Sequence, residues 1–365
     1  MDKTKRIGVF GGTFDPVHIG HLMLAETARE QVDLSLVLFM PAFIQPFKQD
    51  IEMTPDEDRI RMLSYAIKNN SKFDLTTIEC QREGISYTID SLRALREEYK
   101  GCSISFLIGT DMFLNIEKWK DADALLKEFD LIVGVRPGYL YDEAESLAAK
   151  LKDLYGTRID LIDNPPVDLS STEIRNRIKN KESIRYRVPE SVWLYLLVQE
   201  KLGKKRFDHT KRVMDLASEM AVTYGEDRYK AETAALLHDY CKDSAGGIEN
   251  DLNHASMAAE VAKEEFGVTD EDILNAIRYH TTARAGMSKL EKILFLADTV
   301  EPGRTYDSIE RLRQTSLDDL DSGVYLVLTE LKIYLEKNGL TITEDTEAAI
   351  ADCRGAVSAS EKKRS

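Results

Sequence analysis

Arg6-Ile7-Gly8-Val9-Phe10-Gly11-Gly12-Thr13-Phe14-Asp15-Pro16-Val17-His18-Ile19-Gly20-His21-Leu22 is the stretch whose reading decides the fold. Its apolar beginning, Arg6 to Phe10, reads as a buried strand, the glycines after it as a turn, and Leu22 to Gln31 as a helix. Gly11, Gly12 and Gly20 let main chain approach a ligand, and a helix start offers unpaired N–H groups that favour anions. The turn therefore suits phosphate. It lacks both the Gly-Lys-Ser/Thr of the Walker loop and the Gly-x-Gly-x-x-Gly of dinucleotide-binding turns. In their place stand His18 and His21, three apart and so on one face of the helix entrance. Two imidazoles there can hold a polyphosphate while its charge redistributes, which is electrostatic rather than covalent catalysis. The structural alternative is that one histidine caps the helix and the other packs.

Working outward, 365 residues suggest two domains, and 43% hydrophobic residues supply two cores. With 31% charged residues and no apolar run near the roughly 20 residues that cross a bilayer, a soluble protein without membrane attachment is expected. The start, Met1 to Arg6, leads straight into a strand rather than a signal core, which places the protein in the cytoplasm. Cys80, Cys102, Cys241 and Cys353 are scattered, so neither a zinc knuckle nor a disulfide framework is indicated. A net charge of −15 argues against nucleic acid as a partner but leaves small phosphorylated ligands open. A homo-oligomer is compatible with the chain. All six histidines, His18, His21, His209, His238, His254 and His280, fall within motifs.

Further buried strands are read at Leu34–Met40, Ile104–Gly109, Leu131–Gly138 and Arg158–Ile162, with helical segments between them. That alternation implies an α/β, Rossmann-like domain with a parallel sheet and right-handed crossovers. Thr54-Pro55-Asp56-Glu57 starts a helix in which Asp58-Arg59 reads as a surface ion pair. Gly109 and Asp111 close a strand at the edge where such sheets bind ligands, and Asp111 suits a ribose hydroxyl. Trp119 reads equally as a packing aromatic or a stacking surface. Ser170 and Glu173 have capping-box spacing, while Ser171, Thr172 and Arg175 beside them suit a triphosphate.

The wording Gly-Gly-Thr-Phe-Asp-Pro-Val-His-Ile-Gly-His, with Ser86-Tyr87-Thr88, Trp119 and Ser170-Ser171-Thr172-Glu173-Ile174-Arg175, resembles the bacterial nicotinate-nucleotide adenylyltransferase family over about residues 5–202. The resemblance implies transfer of AMP from ATP to nicotinate mononucleotide, giving deamido-NAD and pyrophosphate with Mg2+ on the phosphates. It implies catalysis by His18, His21 and Arg175, and ATP or substrate binding by Gly11, Gly12, Thr13, Phe14, Lys48, Gly109, Asp111, Ser171 and Thr172. Tyr87 and Thr88 would present main chain to the nicotinate carboxylate, and Trp119 would stack on the pyridine ring. At the histidine position before Lys48 this chain has Phe47, which weakens the case for one phosphate contact.

After the basic junction Gly203 to Arg206 strands give way to helical periodicity. His209, His238, His254, His280, Asp239 and Asp298 each sit at the end or inner edge of an apolar helix face, five helices in all. That many inward polar groups call for a cation. An imidazole and carboxylate set without thiolate suits iron or manganese. The order His…His-Asp…Asp resembles the HD hydrolase superfamily, which implies a dinuclear phosphohydrolase centre in which His254 and His280 serve a second metal and Asp239 is also catalytic. Its segments His238 to Lys242, Tyr279 to Gly286 and Ala297 to Arg304 resemble the HD family that cleaves diadenosine tetraphosphate symmetrically to ADP. That resemblance makes Lys242, Arg284 and Arg304 polyphosphate contacts; each alternatively forms a surface pair. The expected organisation is an adenylyltransferase domain at 1–203, an all-α HD domain at 204–345 and a frayed tail at 346–365. Another nucleotidylyltransferase specificity, a deoxynucleotide or alarmone substrate, or a sensing role for the HD domain are the alternatives.

Overall fold

The computed structural model describes residues 5–43, 53–82, 84–85, 87–135, 140–163, 167–242 and 250–364. The chain divides into two compact units, Met1–Trp193 and Leu194–Ser365, so the division falls ahead of the expected 203/204 boundary.

The first unit runs β1 (Arg6–Gly12), α1 (Ile19–Gln31), β2 (Leu36–Pro41), α2 (Asp56–Ile67), β3 (Phe73–Leu75), α3 (Ile78–Arg82), α4 (Thr88–Glu98), β4 (Ser103–Gly109), α5 (Thr110–Phe113), a 3-10 turn Ile116–Lys118, α6 (Ala122–Glu128), β5 (Asp130–Val135), α7 (Tyr141–Tyr155), β6 (Ile159–Asp163) and α8 (Ser171–Lys179). α9 (Glu190–Lys201) spans the division. All six strands are parallel, in the order β3-β2-β1-β4-β5-β6. Strands covered on both faces need apolar side chains on both, which is why they read as continuous hydrophobic runs. Val9, Leu38, Leu107 and Leu131 are fully buried, each contributing about 1.5–3 kcal/mol.

The chain builds outward from β1 to β3 and then returns to β4 on the other side. That reversal leaves a crevice beyond the carboxyl ends of β1 and β4. α1 packs onto the sheet through Leu24, and a Cβ at Gly134 on β5 would collide with the Leu24 side chain. Gly134→Ala is therefore expected to destabilise the protein by about 1–3 kcal/mol, read as a lower denaturant midpoint at unchanged slope.

β3 was not legible in sequence. It is three residues long and only half-buried at the sheet edge, too short to show a period. The Asp58-Arg59 reading is corrected: both are buried, with Arg59 only 1% exposed. Its Nη1 donates to Thr13 O at 2.9 Å and Ala42 O at 2.8 Å, and its Nε to Thr54 O at 3.0 Å. Arg59 thus ties α2 to the glycine-rich turn. Arg59→Met would strip these carbonyls of a charged donor, an expected loss of about 3 kcal/mol measured by chemical denaturation.

The second unit continues with α10 (Lys204–Tyr224), α11 (Arg228–Leu237), α12 (Asn250–Glu264), α13 (Glu271–Tyr279), α14 (Lys289–Val300), α15 (Ile309–Asp318), α16 (Leu320–Lys337) and α17 (Glu344–Arg364). α14 is the central element: Leu290, Ile293, Leu294, Leu296 and Ala297 are all fully buried, and it packs against α10, α11, α13, α15 and α16. A helix that is apolar nearly all round belongs inside a bundle.

The frayed tail is also corrected, since α17 docks on α16. Ala349 and Cys353, four apart, are buried; Thr346 Oγ1 donates to Thr282 O at 2.7 Å, and Asp352 accepts from Gly286 N at 2.9 Å. The buried stripe is made of small residues, so its amphipathicity was too weak to read. Among the described residues no helix is long and apolar enough to cross a membrane.

Candidate active sites

In the first unit the crevice holds a cavity of about 700 Å3. Gly11, Gly12, Thr13, His18 and His21 line one part of it; Tyr87, Thr88, Gly109, Asp111 and Trp119 another; Ser171, Thr172 and Arg175 a third. Thirteen expected positions therefore converge from the ends of β1 and β4 and the starts of α1, α4 and α8. Lys48 lies outside the described residues. Phe14 is the exception. It is 1% exposed and turns inward, its ring edge-on to Phe10 at 5.4 Å and to His21 at 5.1 Å, so it supports the histidine instead of lining the cavity.

The two histidines stack, ring centroids 3.6 Å apart. His18 is the N-cap of α1, and its backbone N–H donates to His21 Nδ1 at 3.2 Å. That bond makes Nδ1 an acceptor, which leaves the His21 proton on Nε2 as a donor. Gly20 between them keeps that space open: a Cβ there would crowd the His18 ring, 3.1 Å from Nδ1. Arg175 is tied to the same turn. Its guanidinium donates to Asp15 O and lies 3.8 Å from Asp15 Oδ2, while Ser171 Oγ donates to Pro16 O at 2.9 Å. The start of α8 and the glycine-rich turn are thereby clamped together, with Ser170 Oγ capping α8 by accepting from Glu173 N at 3.1 Å.

Trp119 does both things its sequence allowed: it packs edge-on against Phe106, centroids 5.9 Å apart, and presents surface to the cavity. Sequence reasoning missed the buried Glu79 and the lysines flanking Trp119 on the cavity wall. Lys120 Nζ lies 3.9 Å above the Tyr87 ring and 3.6 Å from Asp90. A tryptophan between two lysines was the available signal.

In the second unit four histidines and two aspartates meet. His209 comes from α10, His254 from α12 and Asp298 from α14; His238 and His280 are the C-caps of α11 and α13, and Asp239 follows His238. Asp239 sits between two groups. Its Oδ2 is 3.7 Å from His238 Nε2 and 4.0 Å from His209 Nε2; its Oδ1 is 3.2 Å from His254 Nε2 and 3.8 Å from His280 Nε2. Asp298 Oδ1 completes the first group, 3.0 Å from His209 Nε2 and 3.9 Å from His238 Nε2.

A dinuclear metal centre fits these atoms. His238 Nε2 is wholly buried and makes no hydrogen bond, an orphan that burial should penalise unless a cation takes its lone pair. His280 donates from Nδ1 to Ile277 O at 2.7 Å, so its Nε2 lone pair points at His254 Nε2, 3.2 Å away. Burial pushes the His238 imidazole down to about 4, which keeps it neutral as a ligand must be. For Asp298, burial acts to raise the carboxyl, yet the hydrogen bond from His209 holds it below the usual range. Among basic residues, Arg206 lies 3.0 Å and Lys242 3.5 Å from Asp239, and Arg304 donates to Asp298 Oδ1 at 2.9 Å. Arg206 was missed because it looked like part of a basic linker. Arg284 differs: its fork is held by Glu291 at 2.6 and 3.1 Å.

A parallel sheet with a phosphate-suited turn and paired histidines at its switch point has the form of a nucleotidyl-transferring domain, and the helical unit gathers four histidines and two aspartates around one centre. Family models agree: a cytidylyltransferase-like model matches residues 9–177 and the HD domain model residues 206–303. A probable nicotinate-nucleotide adenylyltransferase of Moorella thermoacetica is 41% identical over 192 residues, 52% of this chain and 88% of that protein. One of Desulfitobacterium hafniense is 40% identical over 204 residues, 55% of this chain and 96% of that protein. A crystal structure of a predicted HD superfamily hydrolase involved in NAD metabolism, from Clostridium acetobutylicum, is 31% identical, covering 45% of this chain and 96% of that one with a TM-score of 0.41. The chain belongs to the nicotinate-nucleotide adenylyltransferase family through its N-terminal part, and carries an HD domain in its C-terminal part.

Proposed function

We propose that the chain is a bifunctional enzyme, transferring AMP from ATP to nicotinate mononucleotide in the first unit and hydrolysing diadenosine tetraphosphate to two ADP in the second. The first reading is carried by the clamp of glycine-rich turn, His18–His21 stack and Arg175 around one cavity. There the substrate phosphate attacks the α-phosphorus of ATP and pyrophosphate leaves. No side-chain nucleophile is needed, because the protein positions the reactants and offsets developing charge. His21 Nε2–H and the Arg175 guanidinium face the triphosphate, with Mg2+ as its counterion. Trp119, Tyr87 and Thr88 receive the pyridine ring.

The second reading is carried by the single carboxylate, Asp239, that serves two ligand groups. His209, His238, Asp239, His254, His280 and Asp298 would hold a pair of iron or manganese ions, which would supply Lewis acidity and an activated water. Arg206, Lys242 and Arg304 neutralise the polyphosphate, and Arg284 steadies the wall through Glu291. The free thiols suit the reducing cytoplasm.

Chromatographic product analysis tests both. ATP with nicotinate mononucleotide should give deamido-NAD and pyrophosphate, whereas turnover of nicotinamide mononucleotide in preference would overturn the substrate reading. Diadenosine tetraphosphate with Mn2+ should give ADP alone. AMP plus ATP, or saturable binding without product, would defeat the symmetrical hydrolase.

A further inference from the structure

The histidines of the HD site are oriented in two different ways, and the difference follows from their places in helices. His238 and His280 lie at helix C-termini, where the last carbonyls lack partners within the helix. Each takes one three residues back: His238 Nδ1 donates to Ala235 O at 2.6 Å and His280 Nδ1 to Ile277 O at 2.7 Å. His209 sits in the second turn of α10, where main-chain carbonyls are already committed to the helix. It must find an acceptor elsewhere. Glu301, 92 residues away and just past α14, provides one, with Oε1 3.1 Å from His209 Nδ1.

Glu301 is itself fixed. It is 2% exposed, accepts from Arg212 Nε at 2.6 Å through Oε2, and accepts from Gly303 N. Gly303 leaves room for that guanidinium, since a Cβ there would lie 2.5 Å from Arg212 Nε.

We propose that Glu301 is a positioning residue for metal binding: it holds the His209 proton on Nδ1 so that Nε2 faces Asp298, and strengthens that nitrogen as a ligand. Partners of this kind typically change metal affinity 10–100-fold, about 1.4–2.7 kcal/mol. Because His209 and Asp298 belong to one of the two ligand groups, the effect falls on one ion and spares the other. This rests on the metal reading above.

The test is Mn2+ affinity and stoichiometry, measured on the full chain by competition with a chromogenic chelator. Two Mn2+ are expected for the unaltered protein. Glu301→Gln, close in shape but uncharged, should weaken one site 10–100-fold and leave the other within about threefold. Arg212→Met removes the partly exposed guanidinium that also holds Glu301 but keeps the bond to His209, so it should lower the melting temperature while both affinities hold. Equal weakening in both variants would make Glu301 merely structural and overturn the proposal. Unchanged affinities in Glu301→Gln would overturn it too. An unaltered chain that binds no metal would instead defeat the metal reading. A measurement on the unaltered protein covers a variant that fails to fold: with Zn2+ bound, long-range proton–nitrogen NMR should place the His209 proton on Nδ1, and a proton on Nε2 would sink the assignment.

Discussion

His21→Ala is expected to lower kcat for adenylyl transfer by about 10²–10³-fold with little change in KM. Negative charge grows on the bridging and leaving phosphate oxygens only as the transition state forms. A donor held in place beforehand therefore contributes to kcat more than to binding. His21 meets that description because its orientation is set three ways: the His18 amide occupies Nδ1, the His18 ring stacks on one face, and Phe14 packs edge-on. A ring so held needs no reorganisation when charge appears. Steady-state kinetics check this, beside a melting curve, since the lost packing against Phe14 must not unfold the protein. A raised KM with unchanged kcat would mean that His21 serves binding alone.

Asp239→Asn is expected to reduce hydrolysis of diadenosine tetraphosphate by at least about a thousandfold, some 4 kcal/mol of transition-state stabilisation. Asp239 turns a separate oxygen to each histidine pair, Oδ2 to His209 and His238 and Oδ1 to His254 and His280. Asparagine keeps the size and one carbonyl but loses the charge and one acceptor. It also removes a negative charge that lies 3.0 Å from Arg206 and 3.5 Å from Lys242. Adenylyl transfer, which uses a cavity in the other unit, should stay unchanged in the same preparation and so reports that the chain is folded. Loss of both activities together would show instead that the substitution disrupts the fold.

The classes of element were legible because their signals are local. β1, β2, β4 and β5 announce themselves as apolar runs of strand length bounded by Gly or Pro, and α10 and α13 by helical spacing. The ligand inventory was legible for a related reason. A chain with six histidines, all at motif positions, leaves few alternatives. What failed were segments whose burial is not written in their own residues. Arg59 looks solvated until α2 lays it under the glycine-rich turn, and α17 looks aimless because Ala349 and Cys353 bury little surface each.

Sequence by itself thus determined the two domain types, the parallel sheet, the turn that suits phosphate and which histidines and aspartates gather in the helical unit, since periodicity and short motifs act within a turn or a strand. Tertiary structure alone decided which atoms face one another: Arg59 beneath Thr13, the two oxygens of Asp239 turned to different histidine pairs, and Glu301 behind His209. Apart from the neighbours His238 and Asp239, these partners are distant in sequence, up to 92 residues for His209 and Glu301, and only the packing of whole helices and strands sets their distances.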